Sequence, residues 1–321
     1  MINQNQATQV TKTVLISGSQ KPAFSVVACF LEAGYAVTFL TENAVNAQKD
    51  ISGHLAFSNR SGTQAPPNDD QLTIVEQLSD VKIYPRTIVI SPETLTEKKE
   101  RISLLEDRVS PDGLLAITTE SIPLAALQAA ASQPEKIIGA NWAEPAHNTR
   151  FLEIIANTTS NKEAVGLFFN DAKAHLGKDP YLITGEQGIR TKLFSAMVRE
   201  AFFLVENGYA SIPDIDRACR NDAGYYLPFA GNCRYMDLMG TNSYGMVMKE
   251  LNKELSKARH TPPFFNTIIE NKGRGMKNNQ GFYEYKDGEA DQWQDLMNTF
   301  SRQISKLIDT YPFHDQKTVE P

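Results

Sequence analysis

The chain has few cysteines, and they show no pattern. Cys29, Cys219 and Cys233 are an odd number at unrelated spacings. This excludes a disulfide-stapled scaffold and a zinc ribbon, and it fits a reducing compartment. The five histidines likewise form no constellation, and we expect no metal site.

Long apolar runs and basic tracts are also missing. No stretch approaches the ~18 apolar residues that span a bilayer, and the polar residues 1–11 lack the apolar core of a signal peptide. Lys and Arg total 32 against 38 Asp and Glu, for a net charge of -6. We therefore expect a cytoplasmic protein that binds neither nucleic acid nor membrane.

What is present is an ordinary globular composition with a regular alternation of elements. The 321 residues are 41% hydrophobic, enough for two domains. In the first half, short apolar runs alternate with helical patterns, which predicts βαβ units in a doubly wound parallel sheet. Residues 43–80 are rich in Asn, Ser, Gly and Pro, which predicts a loop with one short strand, and 95–109 predicts a charged helix.

Strand patterns stop after Thr184. Residues 191–207 carry apolar side chains at the i, i+3/i+4 spacing of a buried helix, and residues 243–256 and 292–308 are also helical in pattern. The sequence therefore predicts a Rossmann-like α/β domain over residues 1–186 and an all-α domain over residues 187–321.

Several short motifs follow one another in the order and spacing of a known enzyme family. They are Ser110-Pro111-Asp112-Gly113, Gly139-Ala140-Asn141-Trp142-Ala143-Glu144-Pro145, Phe151-Leu152-Glu153-Ile154-Ile155, Gly177-Lys178-Asp179-Pro180 and Gly281-Phe282-Tyr283-Glu284-Tyr285. Over residues 81–285 the chain resembles the 3-hydroxyacyl-CoA dehydrogenase family. The resemblance implies NAD-dependent oxidation of a 3-hydroxyacyl thioester, or of a related hydroxy acid, and a homodimer formed by the helical domain.

The resemblance also implies the catalytic positions, and most of them are altered. The family uses a His as base, held by a Glu twelve residues later; Glu153 is retained, but the base position is Asn141. Glu120 stands at the family's pocket serine, and Thr191 at the asparagine that opens its helical domain. An amide cannot take up a proton at neutral pH, and a general base contributes ~10²–10⁴-fold. We therefore expect low or altered activity.

The dinucleotide turn is altered too. The chain reads Gly18-Ser19-Gln20-Lys21-Pro22-Ala23 where the family has G-x-G-x-x-G. Gly18 keeps the tight turn and Ala23 is a mild change, but Gln20 occupies space that the pyrophosphate uses. Pro22 removes an N–H at the helix start. We therefore expect weak NAD binding.

The resemblance implies five further contacts with the cofactor. Glu42 lies one residue beyond the position of the family's ribose-binding acid. Glu93, Lys98 and Lys277 match positions near the ribose and nicotinamide, and Glu144 replaces the asparagine of the family's H-F-x-N-P segment.

Two interpretations of these changes stay open. Asn141, Glu120 and Glu144 are either drift in a disused site or parts of a new one, and Glu93 with Lys98 is either a cofactor contact or a solvated pair. The chain is accordingly either an oxidoreductase acting on a small-molecule or acyl-CoA-type substrate, or a pseudoenzyme that serves as a ligand-binding or scaffold dimer.

Overall fold

The computed structural model of the chain describes residues 12–59, 69–78 and 82–311. It separates into two compact units that meet between Thr191 and Lys192.

The first unit is built on one eight-stranded sheet with the order β3-β2-β1-β4-β5-β6-β7-β8. The strands are β1 (Thr13–Ser17), β2 (Ala36–Leu40), β3 (Leu72–Val75), β4 (Tyr84–Val89), β5 (Val109–Ile117), β6 (Ile137–Trp142), β7 (Phe151–Ala156) and β8 (Asp179–Thr184). The helices are α1 (Lys21–Glu32), α2 (Ala44–Asn59), α3 (Leu95–Leu105), α4 (Leu124–Gln128) and α5 (Lys162–His175). This confirms the Rossmann-like α/β fold.

Central strands are buried on both faces, as their continuous apolar runs require. Val14, Leu15 and Ile16 of β1 are fully buried. One face of the sheet packs against α1, α2 and α5, and the other packs against α3 and α4. The two hydrophobic cores therefore hold the carboxyl ends of β1, β5 and β6 in fixed positions.

The sheet departs from a fully parallel arrangement at one place. β7 runs antiparallel to β6, with Asn141 opposite Glu153, whereas all other neighbouring strands are parallel. A short connection suffices for this because antiparallel neighbours need no crossover helix.

Two local predictions were wrong. The first part of the predicted loop, Ala44–Asn59, is the helix α2, whose Ala47 and Ile51 are buried four residues apart. The predicted short strand is β3; residues 60–68 and 79–81 of that loop lie outside the described residues. The charged helix ends at Leu105 instead of Val109, because Val109 already begins β5.

The described part of the second unit is helical, with only isolated bridges around Gln280. Its helices are α6 (Arg190–Glu206, which begins at the unit boundary), α7 (Ile212–Ala218), α8 (Gly224–Met239), α9 (Thr241–Leu251), α10 (Pro263–Glu270) and α11 (Glu289–Thr310). α8 is kinked at Gly231, which has φ 66°. Among the described helices, none combines the length and the apolar character that crossing a membrane requires.

Candidate functional site

Asn141 and Glu153 face each other at the ends of β6 and β7. The Asn141 Nδ2 donates to Glu153 Oε2 at 2.9 Å and to the Thr119 carbonyl at 2.8 Å, and its Oδ1 accepts from the Thr119 N–H at 2.9 Å. Both side chains are buried, Asn141 to 2% exposure and Glu153 to 0%. Every hydrogen of the Asn141 amide therefore has an acceptor within the protein.

The carboxylate of Glu153 also caps the N-terminus of α6. Its Oε1 accepts the backbone N–H groups of Ile189 at 2.7 Å and Arg190 at 3.1 Å, and the Tyr181 hydroxyl at 3.2 Å. A carboxylate at a helix N-terminus is favourable because the helix dipole is positive there. Gly188 makes the approach possible, since a Cβ at that position would lie 1.8 Å from Glu153 Oε2.

Glu120, Thr191 and Arg190 form the more open part of this cluster. The Thr191 hydroxyl donates to Glu120 Oε2, and Arg190 Nη1 lies 3.6 Å from Glu120 Oε1. The side chains of Glu120 and Arg190 are 39% and 41% exposed. The four residues predicted to be catalytic, Asn141, Glu153, Glu120 and Thr191, are thus brought together.

Glu93 and Lys98 hold the loop that carries Glu120. Glu93 Oε1 accepts the N–H groups of Glu120, Ser121 and Ile122 at 2.7–3.0 Å, and its Oε2 lies 3.1 Å from Lys98 Nζ. Burial raises the pKa of Glu93, but these N–H groups and Lys98 outweigh it and hold the pKa below its ordinary value. Burial lowers the pKa of Lys98, an effect that Glu93 partly offsets. The pair is therefore more than a solvated ion pair.

The turn after β1 retains one feature of a dinucleotide site. A Cβ at Gly18 would lie 2.6 Å from the Ala23 Cβ and 2.8 Å from the Ile90 carbonyl oxygen, so only glycine allows this close packing. Gln20 is exposed at the N-cap of α1 and makes no side-chain capping bond. The packing at Gly18 therefore fits a dinucleotide pyrophosphate, while Pro22 leaves one N–H donor fewer at the start of α1.

Glu144 lies beside α1. The Ser25 hydroxyl is 2.7 Å from Glu144 Oε2 and also accepts the Ala146 N–H at 3.0 Å. Burial raises the pKa of Glu144 to about 7, and Ser25 and Lys21 oppose the shift only in part. This carboxyl therefore changes charge near neutral pH.

The two remaining predicted cofactor residues are surface residues. Glu42 follows β2, is 74% exposed and pairs with Arg101 at 2.7 Å. Lys277 is exposed in the second unit. Among the described residues there is no group of three or more His, Cys, Asp or Glu placed to hold a metal.

The sequence interpretation missed Arg190 and Tyr181, which touch the same cluster. The Arg190 guanidinium lies over the Phe151 ring at 5.3 Å, and its Nη1 donates to the Trp142 carbonyl at 2.8 Å. The sequence did carry a signal for Arg190. A positive charge in the first turn of a helix opposes the helix dipole, so an arginine there suggests a role other than stabilising the helix.

Comparison with known proteins identifies relatives of both units. The family model "3-hydroxyacyl-CoA dehydrogenase, NAD binding domain" matches residues 23–186, and "3-hydroxyacyl-CoA dehydrogenase, C-terminal domain" matches residues 189–285. A 3-hydroxybutyryl-CoA dehydrogenase of Mycobacterium tuberculosis is 27% identical over 67% of this chain and 75% of its own length.

Another relative is named for a different activity. The 5-formyl-3-hydroxy-2-methylpyridine 4-carboxylate 5-dehydrogenase of Mesorhizobium japonicum is 26% identical over 60% of this chain, which spans only 63% of that protein's length. A crystal structure of an enzyme of that name, described as an NAD+ dependent dismutase, has a TM-score of 0.87 at 20% identity and covers 94% of this chain and 100% of its own. At that identity the likeness shows the fold alone. From the two matching models, which together span most of its length, the chain belongs to the 3-hydroxyacyl-CoA dehydrogenase family.

Proposed function

We propose that the protein is an NAD(H)-dependent oxidoreductase that interconverts a 3-hydroxyacyl thioester, or a related hydroxy acid, and its oxo form. One observation carries the proposal: Asn141, Glu153, Glu120 and Thr191 lie together in one cluster beyond the ends of β5 and β6. The carboxyl edge of a doubly wound sheet is where such folds bind ligands. We propose this activity and these substrates for the whole protein.

NAD, when bound beside the turn after β1, would supply the hydride acceptor for this chemistry. The protein itself must supply an acceptor for the proton of the substrate hydroxyl. Asn141 cannot act as a base, and Glu153 is engaged by four donors. Glu120 is the partly exposed carboxylate of the cluster, and Thr191 and Arg190 orient it. We assign the proton-accepting role to Glu120, and the missing imidazole supports a rate below that of an intact site.

The cofactor site supports weak binding of NAD. Gly18 and Ala23 keep the tight turn and its packing. A glutamine at position 20 leaves less space for the pyrophosphate than a glycine would. Pro22 has no backbone N–H and so removes one donor at the start of α1. Glu93 and Lys98 would serve the cofactor indirectly, because they fix the loop of Glu120 and Ser121.

We further propose a homodimer that assembles through the second unit and is located in the cytoplasm. Large apolar side chains on its helices, such as Phe194, Met197 and Phe300, are about half exposed or more in the single chain. Exposed apolar surface on this scale is typical of a subunit interface. The three free cysteines support a reducing compartment.

A second candidate is a non-catalytic, ligand-binding or scaffold dimer. It is favoured by the hydrogen bonding of Asn141, whose two N–H donors are both committed to Thr119 and Glu153.

Turnover of NADH with acetoacetyl-CoA and with small 3-oxo acids separates the two candidates. The proposed enzyme shows slow turnover that Glu120→Gln abolishes and that Glu163→Gln, the same change at an exposed carboxylate on α5, leaves intact. NADH binding without turnover of any substrate would favour the non-catalytic dimer, and equal turnover in Glu120→Gln would reject Glu120 as proton acceptor.

A further inference from the structure

Arg190 is placed at the candidate site in a way that helix stability does not explain. It occupies the first turn of α6, where a positive charge opposes the dipole. Its backbone N–H is bound to Glu153, and its guanidinium extends over Phe151 to the Trp142 carbonyl. The side chain is therefore held beside the Asn141–Glu153 pair by two contacts, one on the flat face of the guanidinium and one at its terminal Nη1.

Part of this guanidinium remains open. Nη1 makes the bond to the Trp142 carbonyl and lies 3.6 Å from Glu120, whereas Nε and Nη2 make no hydrogen bond or ion pair in the described part of the chain. The side chain is 41% exposed. Arginine carries five N–H donors in a fixed plane, so several of them stay available to a ligand entering the site.

The surroundings define what such a ligand can be. The Phe151 ring covers one face of the guanidinium, and Tyr181 packs edge to face against that ring at 5.6 Å. The negative charges nearby are already engaged, Glu153 by four donors and Glu120 by Thr191 and Arg190. A small anion bound to Nε and Nη2 is therefore repelled less strongly than the number of nearby carboxylates suggests.

We propose that Arg190 binds the free carboxylate of the substrate, so that the protein acts on a small hydroxy or oxo acid instead of an acyl thioester. This inference rests on the proposed oxidoreductase function and narrows its substrate. A guanidinium matches a carboxylate with two parallel hydrogen bonds, and charge-assisted bonds of this kind are about twice as strong as neutral ones. A thioester carbonyl presents neither the charge nor the second oxygen.

The test compares binding of 3-hydroxybutyrate with binding of its methyl ester, by ligand-observed NMR titration with and without NADH. In the wild type the acid binds more tightly than the ester. Arg190→Gln weakens acid binding by at least about tenfold, the value of one charge-assisted hydrogen bond, and leaves ester binding unchanged. Arg190→Lys gives intermediate acid binding, because lysine keeps the positive charge but cannot donate two parallel hydrogen bonds. Lys173→Gln, the same charge change at an exposed position on α5, has no effect.

Other outcomes would overturn the proposal: equal binding of acid and ester by the wild type, no binding of either, or the same loss of both ligands in Arg190→Gln. If Arg190→Gln does not fold, the comparison of wild type with Arg190→Lys decides. An acid preference that depends on Arg190 in a protein that binds no NADH would reject the oxidoreductase function and leave the carboxylate site standing.

Discussion

Asn141 uses its whole amide to hold neighbouring parts of the protein together. Its oxygen and both of its hydrogens bond to Thr119 and Glu153, at 2.8–2.9 Å. The residue thus ties β6 to β7 and to the loop after β5. Its position is catalytic in the family pattern, but its contacts here are those of a structural residue, which leaves the proton transfer to another group.

We expect Asn141→His to restore little activity. The imidazole would lie beside Glu153, which would raise its pKa, but it cannot reproduce both bonds to Thr119, and the loss costs about 1–3 kcal/mol of unfolding free energy. Glu120, Glu144 and Thr191 also still differ from the family's set, and residues acting as a unit are non-additive. NADH turnover with acetoacetate and with acetoacetyl-CoA should rise far less than ~10²-fold.

Combining this change with Glu120→Ser, Glu144→Asn and Thr191→Asn should recover more activity, provided that the cofactor binds. A large recovery from the single change would show that Asn141 alone limits the reaction.

Glu144 should make stability depend on pH. Its pKa is about 7 in the folded protein and ordinarily about 4.3, so the native state binds the proton more tightly. The unfolding free energy should therefore fall as pH rises from about 4.5 to 7, by on the order of 3 kcal/mol, and be flat above. Urea unfolding at pH 5 and pH 8 should show that Glu144→Gln removes this loss. Glu42→Gln is the exposed control, and an equal effect of both variants would contradict the assignment.

The start of α6 depends on a close approach between Gly188 and Glu153. Gly188→Ala should destabilise the protein by about 1–3 kcal/mol, because a Cβ would overlap the buried carboxylate. Gly166→Ala is a matched control inside α5, where no atom lies within 4 Å of the added Cβ, and it should stabilise by about 0.5–1 kcal/mol. Urea midpoints measure both effects; a neutral Gly188→Ala would mean that the Glu153 cap is dispensable.

Elements with strong apolar periodicity could be predicted from the sequence, and weakly patterned ones could not. β1 and α1 follow from continuous apolar runs and a glycine stop. α2 does not, because Ala47 and Ile51 alone are buried among the α2 residues whose burial is described, and its Asn, Asp, Ser and Gly residues favour turns. The antiparallel direction of β7 was also hidden, since a buried strand has the same local pattern in either direction.

The candidate site shows the same division. The residues at the family's catalytic positions could be identified from the sequence, because the motifs occur at the family's spacing along the chain. Their bonding could not, because the closure of Asn141 onto Thr119 and Glu153 depends on contacts between distant segments. Arg190 stayed hidden because its neighbours Trp142 and Phe151 lie far from it in sequence.

At the scale of the whole molecule, the second unit leaves much apolar surface open. Trp293, Leu296 and Phe300 on one stretch of α11 are 53–60% exposed. We expect a homodimer at micromolar concentration, because covering such surface is worth ~25 cal/mol per Å². Sedimentation velocity should show a dimer, and Phe300→Glu should shift it toward monomer. A wild type that sediments only as monomer would contradict this.

The direct test of a cofactor-dependent enzyme with a weakened dinucleotide turn is a calorimetric titration of NADH into the intact protein. The structure keeps the Gly18–Ala23 packing and places Gln20, at a position where the family has glycine, at the N-cap of α1. We predict one saturable site per chain with a dissociation constant weaker than micromolar, and tighter binding in Gln20→Gly. The absence of saturable binding at millimolar NADH, in both the wild type and Gln20→Gly, would contradict the account.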